Sequence, residues 1–166
     1  MRRSLSIFTI SILLFSCKKD NLTAGEPVEI YLLDSYGYVT GKCQVDAATA
    51  SLKYAPIAGN SDIERYSQSD HQFTISEDAI QQIKTLDDGA AFAVTVDKKV
   101  IYYGFYKPIY SSSSCDNSIT MNADFSADNK ITVKLGYPGL IEGTVIEDER
   151  NNAILLAALK KQGKLR

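Results

Sequence analysis

Tryptophan is absent from this chain of 166 residues, and histidine occurs once, as His71. A single imidazole excludes any site that needs two. The charge balance, 18 Lys+Arg against 20 Asp+Glu, lacks the basic excess expected of a nucleic-acid-binding protein. The three cysteines, Cys17, Cys43 and Cys115, include no CxxC pair of the kind that holds zinc. No GxSxG elbow is present, and the ten glycines form neither a P-loop nor a dinucleotide fingerprint. What remains is 45% hydrophobic and 23% charged, the composition of one folded globular domain rather than a disordered chain. No cofactor and no metal site is expected.

The N-terminus reads as an address. Arg2 and Arg3 precede an apolar run from Leu5 to Phe15. A helix needs about 20 apolar residues to cross a bilayer, so this run matches the short core of a secretory signal. It ends Leu14-Phe15-Ser16-Cys17, which resembles the lipobox of bacterial lipoproteins. The resemblance implies that residues 1–16 are a signal peptide and that Cys17 is acylated and becomes the new N-terminus. Attachment by more than one acyl chain is durable, since each buried methylene contributes about 0.8 kcal/mol. Cys17 is followed by Lys18-Lys19-Asp20 and not directly by an aspartate. By the same resemblance this points to the outer membrane and to Bacteroidota-type lipoproteins, facing the periplasm or the cell surface. Cutting before Cys17 lowers 18 basic residues to 16 against 20 acids, a net charge of −4. Residues 17–26 read as the lipidated cysteine and a flexible tether, and 27–166 as a single folded domain. An envelope location is oxidising, so Cys43 and Cys115 are expected to form a disulfide. Two buried free thiols are the alternative.

The body predicts an α+β fold, an antiparallel or mixed sheet with two main helices on one face. Val28–Leu33 reads as a strand, Tyr36-Gly37 as a turn and Lys42–Asp46 as a second strand. Residues 47–62 read as a loop, Asp62–Tyr66 as a short helix and Gln72–Ile75 as a strand. Ser76 looks like an N-cap, with Glu77 and Asp78 behind it and Ala79, Ile80, Ile83 and Leu86 at helical spacing. Ala91–Val96 and Val100–Tyr106 predict a hairpin across Asp97-Lys98-Lys99, and Ser118–Phe125 with Lys130–Tyr137 a second one. Leu140–Ile146 reads as a further strand. Glu149–Gln162 reads as a helix with acids at its start and Gly163 at its C-cap.

The series Phe73-Thr74-Ile75, helix 77–86 and Ala91–Ile101, with Pro108 beyond and Ala153–Leu165 closing, resembles the head of the first periplasmic domain of SecD. The resemblance covers Asp70 to Leu165 and implies a fold. It carries no translocation role, which belongs to a membrane channel. The usual Asp-Gly turn is Asp97-Lys98 here. The serine loop, Cys115 and the turn at 136–139 are additions to the pattern.

Tyr102, Tyr103, Phe105, Tyr106 and Tyr110 fall within nine positions. In a strand Tyr102 and Tyr106 share one face, and Tyr103 and Phe105 the other. One set serves the core, and the other is a contact surface unless it too is covered. Ser111–Ser114 is a polar connector or a small binding loop. With His71 and Asp70 or Asp116 it would make an envelope hydrolase, if the fold brought them together. Asp124, Asp128 and Asn129 superficially suggest calcium, but the glycine and final glutamate of an EF-hand loop are missing, so a hairpin turn is expected. The reading is a non-catalytic, lipid-anchored binding module whose partners are the membrane and another envelope protein, with no nucleic acid.

Overall fold

The computed structural model describes residues 25–123 and 128–166. The expected signal peptide, Cys17, most of the expected tether and Asp124 lie outside the described residues. The fold is α+β, a mixed sheet of eight strands with two helices. The strands are β1 (Val28–Tyr38), β2 (Val45–Leu52), β3 (Ile63–Ser67), β4 (Gln72–Ile75), β5 (Ala91–Val96), β6 (Lys99–Tyr106), β7 (Cys115–Ala123) and β8 (Lys130–Tyr137). Their spatial order is β2-β1-β5-β6-β7-β8-β4-β3. Every neighbouring pair is antiparallel except β6 and β7.

Both helices lie on one face. Helix α1 (Glu77–Lys84) starts at Ser76, whose side chain accepts from the Ala79 N–H, and it buries Ala79, Ile80 and Ile83. Helix α2 (Ala153–Lys161) is capped by Asn152 and buries Leu155, Ala158 and Leu159. These six side chains join Val28, Ile30, Phe73, Phe92, Val94, Met121 and Ile131 in the main core. Gly163 follows α2 with φ +71, the left-handed step that glycine takes without strain.

The second face is covered without a helix. The first half of β1 pairs with β5, from Val28↔Val96 to Leu32↔Phe92. Its second half pairs with β2 instead, through register shifts between Leu33 and Ser35 and between Ser35 and Gly37. Such irregularities bend a strand, and the distal hairpin packs on Phe105. Tyr38 stacks on that ring at 5.6 Å and Tyr36 lies tilted at 6.0 Å. Leu33, Val45, Ala91, Ala93, Phe105 and Cys115 form the small core beneath it. A disulfide joins Cys43, between β1 and β2, to Cys115 at the start of β7, so the expected bridge is present and fastens this cover.

Several elements differ from the sequence reading. Residues 63–67 are a strand and not a helix. Ile63 and Tyr66 are both buried because a register shift falls between Ile63 and Arg65, and that shift gives a strand the i, i+3 spacing of a helix. The second strand is 45–52 and not 42–46, and Tyr36-Gly37 lies inside β1. Residues 140–146 form no strand. Helix α2 starts at Ala153, and its first turn holds no acid. Edge strand β3 is closed by the last residues: Tyr66 N–H donates to Lys164 O and Arg166 N–H to Tyr66 O.

Candidate functional site

The parallel ladder between β6 and β7 is short, running from Gly104↔Ile119 to Tyr106↔Met121. Gly104 makes this approach possible. A Cβ there would lie 2.5 Å from the Ile119 carbonyl oxygen and 2.6 Å from the Phe92 ring. Next to these pairs, each strand has an irregularity in its other pairing, at Val94/Thr95 for β5–β6 and Cys115/Ile119 for β7–β8. Below them the strands part, and the space between is a cleft of about 440 Å³. Tyr102, Tyr103, Asn117 and Ser118 line it from the two strands, Lys42 and Val45 from the β1–β2 hairpin, and Val145, Ile146, Glu147 and Glu149 from the segment before α2.

Backbone polarity also points into this gap. Tyr106 exchanges hydrogen bonds with Gly89 and Ala90, on the β5 side, while Lys107 N–H donates to Met121 O of β7. Strand alternation then turns Tyr103 toward β7: its carbonyl faces the Ile119 N–H within the last ladder pair, and its N–H lies just past that pair. The Tyr102 side chain is 5% exposed and its hydroxyl has no hydrogen-bond partner. Burial pushes its pKa well above the usual tyrosine value, with Tyr66, Arg150 and Asp148 as the other groups that it feels. It therefore stays a neutral phenol with an unused donor. A buried unsatisfied group of this kind costs about 1–3 kcal/mol.

The structure divides the five aromatic residues singled out in the sequence. The alternation is as read: Tyr102 and Tyr106 belong to the main core and Phe105 to the small core. All three are buried, so they offer no contact surface. Tyr103 is partly buried and lines the cleft. Tyr110 is 70% exposed.

The serine loop is held by charges and not by His71. The Lys107 ammonium, 4% exposed, sits 2.8 Å from Asp88 Oδ1, donates to Ser113 Oγ at 2.7 Å and lies 5.3 Å above the Tyr137 ring. Ser111 Oγ and Ser113 Oγ both donate to Asp88 Oδ2, at 2.7 and 3.0 Å. Tyr137 Oη donates to the carbonyls of Ile109 and Ser111. Burial raises the Asp88 pKa, but the hydrogen bonds from Lys107, Ser111 and Ser113 and the lysine charge outweigh it, and the net shift is downward. A carboxylate held acidic in this way is a weak base and does not activate a serine. This cluster clamps the crossover from β6 to β7.

His71 has positive φ, at +52, and its Nε2 is 3.1 Å from Asn151 Nδ2. Asn151 Oδ1 in turn accepts from Tyr66 Oη, a main-core residue on the helix side. The serine loop packs against Tyr137, on the small-core side. Burial first, and then the Arg150 charge, lower the His71 pKa. Asp128 pairs with Lys130 at 3.2 Å. Among the described residues no group of three or more His, Cys, Asp and Glu side chains could hold a metal.

Sequence reasoning missed three contributors. Lys107 gave no signal, since its partner Asp88 is nineteen positions away in a turn. The wall at 145–149 was hidden by its apolar residues, which read as a strand. Asn151 and Asn152 were legible in principle: an asparagine pair before Ala153-Ile154 is an N-cap signature. No family model, curated protein or solved structure matches the chain.

Proposed function

We propose that this protein is a lipid-anchored module of the bacterial cell envelope. It is held at the outer membrane by acyl chains on Cys17, and it acts by binding an extended segment of another envelope protein and not by catalysis. Arg2-Arg3, the run Leu5–Phe15 and Leu14-Phe15-Ser16-Cys17 support the anchor, and the Cys43–Cys115 bridge suits an oxidising compartment. The observation that carries the binding role is the cleft where the β6–β7 ladder ends. There the ladder-facing N–H of Tyr103 and the Asn117 amide meet between apolar Val45 and Ile146 and charged Lys42, Glu147 and Glu149. Backbone pairing gives such a site affinity for extended peptide, and its side-chain pockets give selectivity. The order β4, α1, β5, β6 with α2 closing the chain supports the resemblance to the SecD head as a statement about fold.

The test is a photo-crosslinking residue at Asn117 in living cells. One discrete protein adduct is expected, and it should be lost when Tyr103→Ala is added while the disulfide and melting temperature are retained. The same crosslinker at exposed Lys134 should give no such adduct. Identical adducts from both positions, or one indifferent to Tyr103→Ala, would overturn the reading.

A further inference from the structure

Lysines crowd the place where the described chain begins. Gly25 lies against the C-terminal end of α2, where an added Cβ would meet Gln162 Cγ at 2.9 Å and Lys161 Cβ at 3.1 Å. Gln162 Nε2 donates to Glu26 O at 2.7 Å. On the other side Asp97 N–H donates to Pro27 O at 2.9 Å, which brings up the β5–β6 turn with Lys98 and Lys99. Lys164 reaches the same place, donating to Asn60 O, while Asn60 Oδ1 accepts from Val28 N–H. Lys98, Lys99, Lys160 and Lys161 are exposed and Lys164 is partly buried. Glu26 and Asp97 lie among them, and Asp62 sits two positions from Asn60. A groove between α2 and the hairpin, lined by Val100, Ile101, Ala153, Ile154 and Ala157, opens in the same region, and Ile154 is 57% exposed. A chain with more acids than bases thus gathers five lysines around one spot.

We propose that this patch is a membrane-contact face that binds the headgroups of anionic phospholipid. The orientation rests on the anchor proposed above. Gly25 lies eight positions beyond Cys17, a reach of about 28 Å at most, so acyl chains on Cys17 hold the α2 C-terminus and the β5–β6 turn close to the bilayer. Each lysine near an anionic surface is attracted to it, and such a patch orients a domain that acyl chains already hold at the bilayer. The exposed Ile154 adds apolar area at the headgroup level.

The test uses the full chain carrying Cys17→Ser, so that lipidation plays no part and failure of the anchor reading leaves the result untouched. Sedimentation with vesicles of phosphatidylcholine alone is compared with vesicles containing 30% phosphatidylglycerol, at low and at physiological salt. At low salt the anionic vesicles should bind at least tenfold more tightly, and salt should erode the difference. Lys160→Glu with Lys161→Glu, and separately Lys98→Glu with Lys99→Glu, should each remove most of that preference. The remote pair Lys53→Glu with Lys134→Glu should keep it. The corresponding glutamine variants should lose less than the glutamates. Equal binding to both vesicle types, or patch and remote reversals with equal effects, would overturn the proposal.

Discussion

The disulfide sets the largest single stability difference expected in this protein. Cys43 and Cys115 are 72 positions apart. By the chain-entropy estimate, closing a loop of that length removes enough freedom from the unfolded chain to stabilise the fold by about 4 kcal/mol. The perturbation is Cys43→Ala with Cys115→Ala, which avoids burying a new hydroxyl at position 115, only 1% exposed. For a domain of this size about 4 kcal/mol corresponds to roughly 10 °C in melting temperature. Urea titration of the oxidised protein and of the double variant gives the free energy, and calorimetry gives the temperature. A local signature should accompany the global one. Lys42 is exposed in the turn that the bridge fastens, so trypsin should cut after it faster in the variant. A double variant within about 1 kcal/mol of the oxidised protein would refute the reasoning, as would unchanged cleavage at Lys42.

Other substitutions separate the remaining contacts. Gly104→Ala should cost about 3 kcal/mol in urea unfolding, since a backbone carbonyl at 2.5 Å can recede only by opening the β6–β7 ladder. Asp88→Asn should cost about 3 kcal/mol and Lys107→Met about 1 kcal/mol, because the stranded ammonium is 4% exposed while the stranded carboxylate is 34% exposed. The pKa of Asp88 is lowered in the fold. Its contribution is therefore complete above the ordinary carboxylate value, about 3.9, and is lost as pH falls through the lower folded value. Acid unfolding of Asp88→Asn should lack that component. Tyr66→Phe should cost about 1 kcal/mol by removing the 2.7 Å bond to Arg150 O. Tyr102→Phe, which removes a buried hydroxyl without a partner, should be neutral or stabilising in the same urea titration.

The parts of the fold that were readable are those where local signals agree. Ser76, Glu77 and Asp78 ahead of Ile80 and Ile83 announce α1, and the structure uses each of them. Ala91–Val96 and the strand after it are apolar on both sides because each face has its own core. The turn between them places Asp97 and Lys98 at positive φ, a two-residue hairpin without its usual glycine. What the sequence hid is tertiary in origin. Strand β2 is an edge of small, mostly exposed residues and shows no alternation. Ile63 and Tyr66 owe their spacing to a register shift. Val145 is 92% exposed and belongs to a cleft wall, a role that an apolar residue does not announce. The cleft itself exists because two strands separated by eight residues of crossover, Lys107 to Ser114, pair over three positions only, and no local pattern encodes that. The cysteine pair was legible because the expected compartment and the even count pointed to it, and the structure closes it at a Cα separation of 5.2 Å.

The anchor is tested most directly by the mass of the mature protein extracted from envelopes of the native host. A chain that begins at Cys17 and carries the added mass of fatty acyl groups is expected, and that added mass should disappear with Cys17→Ala. A chain that begins at another residue, or an unmodified Cys17 in membrane-extracted protein, would contradict it.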